Sequence, residues 1–307
     1  MRTVANAMLP VFALSAALFA QSAQGLVERA KRDGTLTLYT SLAPTESQPL
    51  AAAFEKKYGI KVQLWRGLSE EVVQRTITEA KGRRYTVDVI ETNGPEMEMI
   101  GREKLLAARW TPDRLNLFVV GYNTMKVKRT EIPATYDGFT DPKWKGRIAL
   151  EATDSEWMAT LVKTLPNGME LMRKLAAMQP ALRKGHVLLA SLVAAGEVPV
   201  GLAMYNSNIE SLKRKGAPID YVPVQPVVAR PQGIGIAKNA PHANAAQLFS
   251  DYVMSAEGQQ LFESMGRTPA RTTSESNRFR FTLIDPVTVL DESAQWEKVW
   301  NNLFVRR

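Results

Sequence analysis

The sequence predicts an α/β fold of two lobes, each an open mixed sheet flanked by helices. Three observations carry this. The chain has 307 residues, about the size at which one packed core gives way to two. Strand-like runs, small polar loops and helical stretches alternate three times in its first third, which is the mark of an open parallel sheet with helices on both faces. A looser series of the same units follows a long apolar run at 115–124.

The elements follow in order. Thr35 to Tyr39 is an apolar β-type run after the Asp33-Gly34 turn. A turn at Pro44 to Gln48 leads to a helix over Leu50 to Tyr58, closed by Gly59. Ile60 to Trp65 alternates like a strand, and Arg66-Gly67-Leu68 connects it to a helix with Ser69 as N-cap and acids in the first turn. Thr86 to Ile90 reads as the third strand, with a helix around Met97 to Ile100 beyond it. The run at 115–124 is a passage between lobes. Gly146 to Glu151 is then a strand, Thr153-Asp154-Ser155 the cap of the next helix, and Pro199 to Met204 a buried strand ending at Tyr205-Asn206. Pro223, Pro226 and Pro231 make Tyr221 to Gln232 read as a linker, because proline breaks helices and interior strands. Gly233 to Ala237 is a return strand, and the remainder is largely helical.

Composition removes whole classes of function. There is no Cys, which excludes disulfides, Cys-ligated zinc, iron–sulfur clusters and thiol catalysis. Two isolated His, His186 and His242, leave little for a His-based metal site or a Ser-His-Asp relay. The net charge of +8 is scattered rather than gathered on a stripe, so a nucleic-acid partner is not expected. Gly233-x-Gly235 lacks the third glycine and following helix of a dinucleotide site. Asp88, Glu91, Glu151 and Asp154 near strand ends are caps before they are an acid–base pair, and no enzyme activity is expected.

Residues 1–25 carry one charge, Arg2, an apolar stretch from Met8 to Ala20, and then small and polar residues. That is the pattern of a cleaved secretory signal peptide. The apolar run is shorter than a membrane span, so the mature chain is expected to act in a periplasm.

In open α/β sheets the ligand crevice lies outside the carboxyl ends of the strands. Four such ends carry small polar residues: Thr40-Ser41, Ser69, Thr92-Asn93 and Thr153-Asp154-Ser155. Free N–H groups and a helix's positive end meet there, so these residues are candidate anion ligands. Arg66 follows a strand directly, and its guanidinium suits a carboxylate or phosphate. Trp157, Tyr205 and Trp110 are candidate walls of the crevice, with Asn206 beside Tyr205 at a strand end.

An ordered set of short motifs runs through nearly the whole mature chain. It comprises Leu38-Tyr39-Thr40-Ser41, Phe54 to Val62, Asp88-Val89, Tyr122-Asn123-Thr124, Asp141 to Arg147, Gly196 to Gly201 and Ser255 to Gln259. The set resembles the ferric-iron-type extracellular solute-binding proteins of ABC importers. The resemblance implies a type II periplasmic binding fold in which two crossing strands, here Phe118 to Tyr122 and Gly233 to Ala237, form the hinge. It divides the chain into a first lobe at 26–120 and 233–307 and a second at 121–232. It also implies a monomer that closes on a small solute and delivers it to a membrane permease, without a resident cofactor. Iron-binding members hold Fe³⁺ through two adjacent Tyr in the second lobe, whereas this chain has Tyr205 followed by Asn206. The expectation is therefore a small anionic solute, a carboxylate or phosphonate, with the iron ligands lost. The alternative is ferric iron, in which case Tyr205 is a ligand. A hydrolase, lyase or sensory module on the same scaffold is the further alternative.

Overall fold

The structure, a computed structural model, describes residues 24–270 and 280–305; nearly all of the expected signal peptide, residues 1–23, lies outside them. The first half begins with helix α1 (residues 24–33). Strands β1 (Thr35–Thr40), β2 (Lys61–Arg66) and β3 (Val89–Asn93) alternate with helices α2 (Pro44–Tyr58), α3 (Ser69–Lys81) and α4 (Gly94–Arg102). The first helix pattern starts six residues earlier than expected, at Pro44, a position where proline's fixed φ and missing N–H suit a helix start. It ends at Gly59, whose left-handed φ of 72° lets its N–H return to the Glu55 carbonyl. The third strand also lies later than expected, because Thr86 and Asp88 spend their side chains on Glu79 and on the Thr37 amide respectively.

Strand β4 (Thr111–Asn123) leads into the second half. There β5 (Ile148–Glu151), β6 (Ala181–Arg183) and β7 (Val200–Tyr205) alternate with α5 (Ser155–Thr164), α6 (Gly168–Ala177), α7 (His186–Ala195) and α8 (Asn206–Arg214). After β8 (Ile219–Val222) the chain returns through β9 (Val227–Ile236) to α9 (Ala243–Met254), α10 (Ala256–Ser264) and β10 (Thr268–Pro269). The last elements are β11 (Phe281–Leu283) and α11 (Pro286–Trp300).

The eleven described strands form one continuous sheet with main order β2-β1-β3-β9-β4-β7-β5-β6. β1, β2 and β3 are mutually parallel, as are β5, β6 and β7. Antiparallel β9 and β4 join the two sets. The crossing differs in position from the expected hinge. β4 and β9 pair from Thr111↔Ile234 to Phe118↔Val228, whereas Phe118–Tyr122 pairs with β7 in the second half and Gly233–Ile236 with β3 in the first. The expected linker at 221–232 is mostly strand. Pro231 is accommodated because one flank of β9 is open there: β11 pairs with Val227–Ala229 and β3 begins only at Gln232.

Each half has its own core. Leu36, Leu38, Phe54 and Val89 pack with Phe249, Tyr252 and Phe262 of α9 and α10 in the first. Trp144, Trp157, Met172 and Leu202 anchor the second. α11 packs on both α5 and α4, and its Trp296 and Trp300 enter the second core. Gly233 has a packing role: a Cβ there would stand 2.3 Å from the Trp110 ring, so the absent side chain lets Trp110 close over β9.

Candidate functional site

The carboxyl ends of β1, β2 and β3 lie side by side, since Thr40 is in register with both Arg66 and Glu91. This brings the six first-half candidates together. Thr92 donates its hydroxyl hydrogen to Ser41 Oγ at 3.0 Å, and Asn93 Nδ2 donates to Ser69 Oγ at 2.7 Å. Thr40 is fully buried and already engaged: its hydroxyl donates to the Glu91 carboxylate and accepts the Leu42 N–H. Ser69 is the first residue of α3 rather than its cap; Leu68 holds that position, its N–H given to Glu71 Oε2 at 2.6 Å. Arg66 is exposed and donates to the Leu42 carbonyl at 3.3 Å. Glu96, in the first turn of α4, adds a carboxylate that sequence reasoning did not single out. Burial raises its pKa above the ordinary carboxylate value against the pull of Arg230 and a hydrogen bond with the Asn93 side chain, and its Oε2 has no hydrogen-bond partner among the described residues.

In the second half the candidates divide. Thr153 is exposed and caps nothing, because both its N–H and its hydroxyl turn back to Glu151 Oε2. Ser155 opens α5, half-buried. Trp157 lies wholly within the core, 5.6 Å from the Tyr136 ring in an edge-on contact, and walls no crevice. Trp110 is likewise buried, under α4 and β9. The position of Trp157 follows from α5's helical repeat, which turns Trp157, Met158 and Leu161 inward. Trp157→Phe is expected to cost about 1–3 kcal/mol of stability through the space it leaves while solute affinity stays unchanged, as paired chemical-denaturation and binding curves will show.

Asp154, Tyr205 and Asn206 do converge. Asp154 is 1% exposed and makes no cap bond; its Oδ1 lies 3.1 Å from His186 Nε2 and 3.6 Å from Arg230 Nη2. Arg230 also pairs with Glu156 and donates to the Tyr205 hydroxyl. Tyr205 stacks on the His186 ring, with centroids 3.8 Å apart, and meets Phe118 edge-on. Asn206 is buried, its Oδ1 without a hydrogen-bond partner among the described residues.

One guanidinium head therefore lies beside three side-chain oxygens, those of Tyr205, Glu156 and Asp154. Glu151, Asp154 and His186 form an adjoining group whose ligand-type atoms lie within 4.8 Å of one another. His186 thus belongs to the site, contrary to its dismissal on sequence grounds. The electrostatics are acidic. Burial pushes the Asp154 carboxyl up, against His186 and Arg230. Burial lowers the His186 pKa, but the charge and hydrogen bond of Asp154 outweigh it and raise that pKa overall. Burial and then the charges of Asp154, Glu151 and Glu96 push the Tyr205 phenol well above its ordinary value. His242 has a different role, holding Asp88 at 2.9 Å.

A buried arginine links the two halves. Arg267, between α10 and β10, grips Glu46 of α2 through Nε and Nη2, both at 2.6 Å. Its Nη1 reaches Asn116 of β4 and, at 2.6 Å, Ser207 Oγ in the first turn of α8.

Two parallel half-sheets with polar side chains gathered at their strand ends, joined by a pair of crossing strands, define the architecture of a two-lobed solute-binding protein. The chain belongs to the bacterial extracellular solute-binding protein family, whose model matches residues 36–268. It is 29% identical over 153 residues to iron uptake protein A1 of Synechocystis, covering 42% of this chain and 41% of that protein. It is 22% identical to the Fe(3+)-binding periplasmic protein of Serratia marcescens, covering 77% and 78%. The chain thus spans well under half of the Synechocystis relative and about half, 51%, of an uncharacterised one from Haemophilus influenzae. Among solved structures, iron-bound HitA from Pseudomonas aeruginosa superposes with a TM-score of 0.72 at 21% identity, covering 87% of this chain and 99% of that one. AfuA from Actinobacillus pleuropneumoniae, with fructose-6-phosphate bound, gives 0.73 at 21%, covering 88% and 98%. At these identities the structural likeness speaks for the fold.

Proposed function

We propose that the protein is the periplasmic solute-binding component of an ABC importer and that its solute is ferric iron. The observation that carries the iron reading is the convergence of Tyr205, Glu156 and Asp154 on one guanidinium. A hard trivalent cation is best held by anionic oxygens. The expectation that the iron ligands are lost, read from Tyr205 being followed by Asn206, is countered by the start of α5, where Asp154 precedes the helix and Glu156 lies in its first turn. The names of the Synechocystis and Serratia relatives support the same reading. The first lobe is taken as 26–120 with 233–270, the second as 121–232 with α11 docked on it. The solute enters between them, the lobes close as one monomer, and a membrane permease receives the solute unchanged.

Titration of the apo-protein with ferric nitrilotriacetate is expected to give a visible tyrosinate-to-iron charge-transfer band, and Tyr205→Phe is expected to abolish it. A second reading, an anionic solute such as a sugar phosphate or phosphonate, is favoured by the hydroxyl and amide donors of Ser41, Ser69, Thr92 and Asn93. Tight calorimetric binding of such an anion, with no band from iron, would establish it and exclude the first.

A further inference from the structure

Two buried atoms beside the candidate site are complementary and unsatisfied. Arg230 Nε is a buried donor and Glu96 Oε2 a buried acceptor, and neither has a hydrogen-bond partner among the described residues. Unpaired buried polar atoms are costly and call for an explanation. The two come from different parts of the fold, Arg230 from crossing strand β9 and Glu96 from α4 of the first half, yet each lies within the other's electrostatic reach. Arg230 also stands where one flank of β9 is open, between its pairings with β11 and β3. Its outer nitrogens are meanwhile committed to Tyr205, Glu156 and Asp154, the oxygens assigned above to the solute.

We propose that Arg230 is an internal cation that the solute must displace, and that the freed guanidinium then pairs with Glu96, drawing the first half onto the second. A cation taking the three oxygens repels the guanidinium at contact distance, and Glu96 is the acid awaiting a donor on the facing half. The exchange couples capture to closure. It also sets a charge threshold: a monovalent cation gains too little from the three oxygens to displace an arginine, whereas a trivalent one gains enough. This inference rests on the cation reading of the site and names the residues that determine specificity and closure.

The test uses gallium(III) nitrilotriacetate, a diamagnetic trivalent probe. The chain has no native Cys, so spin labels can be placed through Gln63→Cys in the first half and Met125→Cys in the second, both exposed. In the parent, gallium is expected to produce the ultraviolet tyrosinate difference spectrum and to shorten the label–label distance read by pulsed electron paramagnetic resonance. In Glu96→Gln the tyrosinate signal is expected at saturating gallium while the shortening is lost. In Arg230→Gln, gallium is expected to bind about tenfold more tightly, since the competing charge-assisted bonds are gone. Closure of Glu96→Gln to the parent distance, or weaker gallium binding by folded Arg230→Gln, would overturn the exchange. Absence of any tyrosinate signal in the parent would overturn the iron reading itself, and the exchange with it.

Discussion

Replacing Arg114 by methionine is expected to remove about 3–5 kcal/mol of folding stability, because it leaves buried acids without a counter-charge. Arg114 is 2% exposed on β4, ion-paired with Glu91 Oε1 at 2.6 Å and with Asp113 Oδ2 at 2.8 Å, its guanidinium over the Phe262 ring. One positive charge thus serves two buried carboxylates. Burial pushes the Asp113 carboxyl up from 3.8 to about 7, against the pull of Arg114. A carboxyl whose pKa is higher in the folded than in the unfolded chain contributes stability that is fully present below the unfolded value and lost as pH rises through the folded one. Asp113's contribution is therefore expected to fade between about pH 4 and pH 7. Denaturation curves at pH 5 and pH 8 are the check. Asp113→Asn should flatten the difference between them, and Arg114→Met should lose more at pH 8 than at pH 5. Equal losses at both pH values would show that Asp113 is ionised throughout.

Most of the fold was legible because the signals that make it are local. The alternation of strand, polar loop and helix from Thr35 to Ile100 reflects side-chain periodicity, and Gly59 closes its helix for a reason contained in a few residues. The crossing strands were harder. Pro231 is incompatible with an interior strand on local rules, and only the sheet reveals that β9 has an open flank at that point. The site shows the same division. Ser41, Ser69, Thr92 and Asn93 could be predicted to meet, because parallel neighbouring strands end at one edge. Glu156 could not be separated from an ordinary first-turn helix acid, nor Arg230 from a charge in a proline-rich linker. His186 was read as isolated because its partners, Asp154 and Tyr205, are 32 and 19 positions away in the sequence. Trp157 failed in the opposite direction: its aromatic ring suggested a crevice wall, and the helical repeat carried it into the core. Carboxylates gathered beside Tyr205 by tertiary packing are what support the proposed cation reading over the expected anion site.

Arg267→Met is expected to cost about as much as the Arg114 substitution, roughly 3–5 kcal/mol, since Glu46 would be left buried and unpaired. Its more informative companion is Ser207→Ala. The Glu46 and Asn116 bonds of Arg267 lie within the first half and the crossing strands, and only the bond to Ser207 Oγ reaches a helix of the second half. Removing that hydroxyl leaves Arg267 gripped by Glu46, so the fold should tolerate the change. The bond lost is charge-assisted and buried, of a kind that contributes about 1.5–3 kcal/mol, and it holds only while the two helix starts are close. Its loss should therefore register mainly in the balance between closed and open forms. Small-angle scattering of the solute-free protein is expected to give a larger radius of gyration for Ser207→Ala than for the parent, with melting temperatures nearly equal. If the radius is unchanged while Arg267→Met still unfolds readily, Arg267 is a purely structural tie to Glu46, and closure is governed by the crevice residues alone.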